Sequence, residues 1–504
     1  MRSCGILMPI FSLPSRYGIG TLGKEAFRFI DFLKTAGQTY WQILPTGKTG
    51  FGDSPYQSVS AFAGNPYFVD LEDLIGQELL TKAECDAADF GNDNAAVDYG
   101  KLYENRKPLL KKAVERFWQK GDKAEYIAFE KENETWLNDY ALFCAIKNEN
   151  GGSLADFESG LLHRDDSAIS DARERLKNEI LYEKTVQFWF FSQWKKLRAY
   201  ANQNGVSIIG DIPIYVSYDS ADVWAQPEYF RLDGDLRPKS VAGCPPDAFS
   251  ADGQLWGNPL YDYDEMARDG FSWWIKRLEH SLKLYDLIRI DHFRGFESYF
   301  SIPAADKTAK GGKWVKGPGT ALFDAVEEKL GKLPLIAEDL GHITEPVREL
   351  LAKTGYPGMA VLQFAFDPSG DSRYLPHNIT KNCAVYTGTH DNDTICGYIK
   401  SCSEPERKFC IDYLRLNENE GYHWGMIKAA MQSCADICIL CMQDFMGLDS
   451  SARINTPATN GGNWQWRIDG GCINDWLAGI INDYTALYRR KPKKAFDFKF
   501  GKTD

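Results

Sequence analysis

The chain has 504 residues, 44% of them hydrophobic and 25% charged, so it can bury a large core; length alone fits about three domains or one (β/α)8 barrel enlarged by insertions. Its net charge of -12 argues against nucleic acid or an anionic membrane as the main partner and favours a neutral or cationic ligand. No apolar stretch reaches membrane-spanning length, and the apolar patch at residues 1–9 is too short, and too soon broken by Pro9, for a signal peptide; a cytoplasmic location is expected.

In chain order, residues 1–73 hold two predicted strands, 6–11 and 40–44, with a helical stretch at 24–34 between them. Residues 74–183 are polar and helix-prone, as in 101–119 and 131–147, and read as an inserted helical subdomain. Residues 184–216 return to the main architecture, with an amphipathic helix whose Val186, Phe190, Trp194 and Leu197 share one face, followed by a strand at 206–211. Residues 217–266 are rich in Pro, Gly, Asp and aromatics and lack periodicity, so a loop-built wall is expected there. Residues 267–504 alternate again. Strands are predicted at 286–291, 333–338, 361–366, 383–391 and 436–444, and helices at 273–284, 321–330, 345–353, 404–414 and 473–489, with a solvated basic tail. Eight strands alternating with helices, apolar without polar alternation, predict an α/β fold: a (β/α)8 TIM barrel with inserted, mainly helical and loop-rich subdomains.

Five of these apolar runs end in a carboxylate, at Asp211, Asp291, Glu338-Asp339, Asp391 and Asp444. One acid after a strand is commonly a helix cap. Five together predict a carboxylate-lined pocket, because the C-terminal strand ends of a parallel barrel meet on one face. Arg289 stands two residues before Asp291, on the same side of a strand, and should keep that acid ionised. Glu338 follows Leu-Pro-Leu-Ile-Ala, where desolvation and neighbouring acids should raise its pKa. One ionised and one protonated carboxyl are what glycosidic bond cleavage needs.

Other motifs point elsewhere only weakly. Gly18, Gly20 and Gly23 match a GxGxxG pattern, but the next strand ends in Pro45 rather than an acid for a ribose, so the glycines are expected to shape a loop. Gly47-Lys48-Thr49 lacks the upstream glycine of a phosphate loop, having Gln42 there. The seven histidines show no metal-ligand spacing, and the twelve cysteines, with Cys438 and Cys441 inside an apolar run where Cys behaves as a small hydrophobe, read as reduced thiols; no metal or cofactor is expected. Aromatic residues make up 13%, and Tyr56, Phe249, Trp256 and Trp464, in non-periodic loops, are candidates to stack on sugar C–H faces.

The motifs Ser54-Pro55-Tyr56-Gln57, Gly210-Asp211-Ile-Pro-Ile-Tyr215, Pro245 to Pro259 with Phe249, Gln254, Trp256 and Asn258, Arg289-Ile-Asp291-His292, Ala337-Glu338-Asp339, Thr389-His390-Asp391-Asn392 and Arg453-Ile-Asn455 carry a resemblance. Over residues 9–490 the sequence resembles the amylomaltases, the 4-α-glucanotransferases of glycoside hydrolase family 77. The resemblance implies that Asp291 is the nucleophile, Glu338 the general acid/base and Asp391 the acid that stabilises the transition state. It implies that Arg289, His390 and Asp211 hold the sugar at the cleaved bond, and that Tyr56, Phe249, Gln254, Trp256, His292 and Asn455 contribute to substrate binding. The implied partners are α-1,4-glucans, from maltooligosaccharides to amylose and glycogen, and glucose as acceptor, with no obligate protein partner. The implied reaction is retaining double displacement, which sets the two carboxyl groups roughly 5 to 5.5 Å apart.

Three other readings compete. An α-amylase-like retaining hydrolase would share the carboxylates without needing the 254–259 loop. A non-catalytic glucan-binding protein gives no reason to keep Asp291, Glu338 and Asp391 together. A phosphate-binding aldolase barrel would carry Gly-rich phosphate loops and a Schiff-base lysine in a strand, and neither is found.

Overall fold

The computed structural model describes residues 2–246, 251–459 and 461–491. Twelve strands occur among them: β1 (Ser3–Leu7), β2 (Tyr40–Gln42), β3 (Ser207–Ile212), β4 (Ser240–Cys244), β5 (Gln254–Pro259), β6 (Leu287–Ile290), β7 (Ser298–Pro303), β8 (Lys313–Lys316), β9 (Leu335–Ala337), β10 (Gly358–Val361), β11 (Cys383–Tyr386) and β12 (Ile437–Cys441). Eight of them form one parallel sheet in the order β10-β11-β12-β1-β2-β3-β6-β9. The remaining gap is bridged where the Ala337 N–H donates to the Pro357 carbonyl at 2.9 Å. With helices packed outside, this is the expected (β/α)8 barrel.

The strands are apolar because both faces are covered. Every residue in the eight is buried except Ser207 and Ile437, which are half-buried. Glycines admit large aromatics between layers. A Cβ on Gly5 would lie 2.4 Å from the Tyr40 Cβ, and one on Gly210 would lie 2.2 Å from the Tyr285 ring. At the N-terminal end of the barrel, buried Arg490 ties the outer layer to the strands, donating to the carbonyls of Ser3, Met431, Ser433 and Ala435. Arg490 therefore does not belong to a solvated tail; residues 492–504 of that tail lie outside the described residues.

The strand ends differ from the sequence expectation for local reasons. The first strand covers 3–7 rather than 6–11, because Pro9 at φ -62 opens a 3-10 turn over Ile10–Ser12. The sixth covers 358–361 rather than 361–366, and Leu362–Phe364 is again a 3-10 turn. Residues 217–266 are not built from loops alone. Their β4 and β5 join β7 and β8 in an antiparallel sheet ordered β5-β4-β7-β8. Between β2 and β3 lie helices including Tyr99–Gln119, Glu134–Asn150 and Lys177–Gln203. The last of these runs unbroken past residue 183 and buries Val186, Phe190, Trp194 and Leu197, with the Phe190 and Trp194 rings parallel within 1°.

The GxGxxG glycines shape a loop. Gly18 has φ 80, and a Cβ on Gly20 would strike the Ile10 carbonyl oxygen at 1.8 Å.

Candidate active site

Strand register assembles the centre of the site. Asp211 on β3 pairs with Arg289 on β6, and side-chain alternation turns Arg289 and Asp291 to the same side. Arg289 Nη1 reaches both Asp211 oxygens at 2.8 and 2.7 Å, and its Nη2 meets Asp291 Oδ1 at 2.9 Å. The Asp211 carboxylate is wholly buried and also accepts from the Tyr56 hydroxyl at 2.9 Å. It therefore lies behind Arg289 and Tyr56, whereas the Asp291 side chain keeps 30% of its exposure. Burial opposes the Arg289 charge, but Asp211 and Asp291 outweigh it and hold its pKa up.

Glu338 follows β9 directly and is fixed by backbone donors. His292, at φ 52, turns its N–H onto Glu338 Oε2 at 2.7 Å, and the Leu340 N–H reaches Oε1 at 2.9 Å. Burial, reinforced by the Asp291 charge, pushes the Glu338 carboxyl up to about 7 against the pull of Arg289 and those N–H groups. Two adjacent carboxyls thus sit in unlike surroundings: one paired with a guanidinium, the other desolvated.

Asp391 comes from the loop after β11. Asn392 Oδ1 accepts from the Thr389 N–H and hydroxyl at 2.9 and 3.0 Å, which closes the turn. Asn455 Nδ2 donates to Asp391 Oδ1 at 2.6 Å, and Arg453 clamps the Asp391 and Asn455 carbonyls at 2.6 and 2.8 Å. His390 Nε2 lies 3.3 Å from the same carboxylate. Burial disfavours the charged form of Asp391, yet His390 and Asn455 outweigh it and hold the acid at about 2. The His390 ring stacks on Tyr56 at 5.0 Å, and Trp464 closes over both at 5.9 Å.

Trp256, on β5, meets the His292 ring edge-on at 4.9 Å and donates through Nε1 to Gln254 Oε1 at 3.0 Å. Burial lowers the His292 pKa to about 4. Gln57 Nε2 bonds Asn258 Oδ1 at 3.1 Å and the Trp256 carbonyl at 3.3 Å, tying the 54–57 element to β5. All these residues except Asp211 line one open cavity of about 1170 Å³. Phe249 lies outside the described residues.

Two of the sequence-selected acids are structural. Asp444 is buried, accepting from the Thr387 hydroxyl at 2.7 Å and the Ile395 N–H at 2.9 Å, and Asp339 accepts from the Met359 N–H at 2.6 Å and pairs with Arg373. The cavity also has a wall that the sequence reading did not select: Gln363, Phe364, Tyr374, Tyr398 and Glu406. Phe364 was hidden because 361–366 reads as a buried strand; in the fold it is 37% exposed. Among the described residues, no group of three or more His, Cys, Asp or Glu is arranged to hold a metal, and no helix is long and apolar enough to cross a membrane.

The 4-alpha-glucanotransferase family model matches residues 8–473. The chain belongs to that family. A 4-alpha-glucanotransferase of Clostridium butyricum is 47% identical over 96% of this chain and 100% of its own, and one from Streptococcus pneumoniae serotype 4 is 47% identical over 99% of both. A solved amylomaltase from Streptococcus agalactiae, in complex with acarbose, superposes with a TM-score of 0.96 at 42% identity, covering 98% of this chain and 100% of that one. Family membership disfavours the amylase-like hydrolase, the non-catalytic binder and the aldolase.

Proposed function

We propose that this 4-alpha-glucanotransferase moves a segment of an α-1,4-glucan to the 4-hydroxyl of glucose or of another glucan by retaining double displacement. The observation that carries this reading is the contrast between Asp291, ion-paired with Arg289, and Glu338, desolvated to about pKa 7 in the same cavity. Asp291 attacks the anomeric carbon as its carboxylate. Glu338 gives its proton to the departing glycosidic oxygen, so the glycosidic bond breaks as the ester bond to Asp291 forms. Glu338, now ionised, takes the proton from an acceptor 4-hydroxyl; that oxygen attacks the same carbon and expels Asp291. Asp391, held anionic by His390 and Asn455, stabilises the positive charge that develops at the ring. Asp211 acts through Arg289 and Tyr56, orienting both for the sugar.

The glucan assignment draws support from the acarbose-bound relative and from an aromatic cavity wall. Transfer over hydrolysis follows if Trp256 and the loop before it hold an acceptor where water would otherwise attack. A cytoplasmic location fits twelve free cysteines.

A covalent trap tests the mechanism. Fluoride leaves without needing a proton, so Glu338→Gln should still form the intermediate from an α-maltotriosyl fluoride, and without a base should discharge it slowly. Mass spectrometry is expected to find the added glycosyl mass on the peptide containing Asp291. Consumption of the fluoride with no adduct, or an adduct on another residue, contradicts the assignment.

A further inference from the structure

The β8 strand reads Lys-Trp-Val-Lys and forms an edge of the four-stranded sheet. Its exposed Lys313 and Lys316 are the ordinary means of keeping an edge strand from pairing with another chain. Trp314 does not fit that purpose. It is 40% exposed, where folding alone would favour its burial.

The ring is held in place. The Arg294 guanidinium carbon lies 3.7 Å from its centroid, and Phe300 meets it at 5.1 Å with the planes 63° apart. Arg294 is itself only 6% exposed and is anchored through Nη1 to the His342 carbonyl and through Nη2 to Ser298 Oγ at 3.3 Å. Arg294 therefore covers one face of the indole, and Phe300 packs beside it. The residue still keeps 40% of its exposure, an aromatic surface whose orientation is set before anything binds.

Its neighbours lead to the cavity. Arg294 is two residues beyond His292 and His342 is one beyond Gly341, and both His292 and Gly341 line the cavity. Segment 340–342 follows Glu338, which in the reading above protonates the departing oxygen. The departing glucan, and the acceptor that replaces it, lie on the Glu338 side of the cut bond.

We propose that the exposed surface of Trp314 is an outer glucan subsite on the acceptor side, where a glucose unit remote from the reacting bond stacks its C–H face, and that it sets the preference for long acceptors. The proposal rests on the assignment of Glu338 as acid and base. An aromatic plane suits this class of ligand because a pyranose ring offers an apolar face while its hydroxyls stay in water.

The test is an acceptor series from glucose to maltoheptaose at fixed donor, comparing wild type with Trp314→Leu and Trp314→Phe. Leucine keeps an apolar cover over Arg294 but has no flat ring; phenylalanine keeps a smaller one. The expected result is a KM for maltoheptaose raised roughly three- to tenfold in Trp314→Leu, as the loss of one stacking contact implies, with the effect growing with acceptor length, smallest for glucose, and partly restored in Trp314→Phe. A rise equal at all lengths, or no rise at any length, overturns the subsite. Trp314→Met, which is also apolar and has no ring, replaces Trp314→Leu if the latter melts early, and the same length dependence decides. Failure of the Glu338 assignment would show separately, as wild-type enzyme that transfers without a pH-dependent proton donor.

Discussion

Asp291 and Glu338 differ by one methylene, and their surroundings differ in the way the proposed division of chemistry between them requires. Arg289 is paired with the first, while desolvation raises the second to about 7. A proton donor must be protonated, so kcat/KM for an α-glucan donor should fall as pH rises through about 7. With a maltosyl fluoride donor that limb should flatten. Pre-steady-state rates across pH check it, and an identical limb for both donors would contradict the role of Glu338. Asp291→Asn should lower turnover at least about a thousandfold while glucan binding persists, read by kcat beside calorimetric Kd. At this scale much was legible: a spacing of two residues on a strand puts Arg289 beside Asp291, and an apolar run ahead of Glu338 foretells its desolvation. Asp444 shows where such reasoning fails. The sequence pattern that ends in Asp391 also ends in Asp444, and only the position of Thr387 and of the Ile395 N–H makes the latter a cap.

Between elements, the barrel depends on small residues that let aromatics pack across layers. Gly210, next to Asp211, is a sharp case beside the catalytic centre, since any Cβ would enter the Tyr285 ring at 2.2 Å. Gly210→Ala should destabilise the protein by about 1–3 kcal/mol through overpacking, seen as a lower denaturation midpoint, and should reduce activity by shifting the Asp211–Arg289 pair. An unchanged midpoint would show that Tyr285 has room to move. Most barrel strands and helices were readable because their signals, a continuous apolar run or a helical repeat, are local: residues 404–414 were predicted and observed as a helix with the same ends. The β5-β4-β7-β8 sheet was not. Its pairing joins residues as distant as Val241 and Ile302, and Pro- and Gly-rich β4 to β5 has no alternation to reveal it. Strand ends were misjudged where a proline or a 3-10 turn, rather than hydrophobicity, stops the ladder.

For the molecule as a whole, the question is why a sugar hydroxyl prevails over water. Gln57 bridges the 54–57 element to Asn258 and Trp256, so one wall of the cavity stays joined to the small sheet. Trp256→Ala should weaken acceptor binding, admit water and raise the ratio of hydrolysis to transfer, measured as reducing ends released per bond cut. If the variant instead melts early and loses both activities in parallel, Trp256 serves only to pack β5 against His292. The most direct measurement for the account is the reaction of the wild-type enzyme with pure maltotriose, following glucose, longer oligosaccharides and total reducing ends together. Transfer predicts that glucose and longer chains appear while total reducing ends stay constant; a steady gain of one reducing end for every bond broken would contradict it.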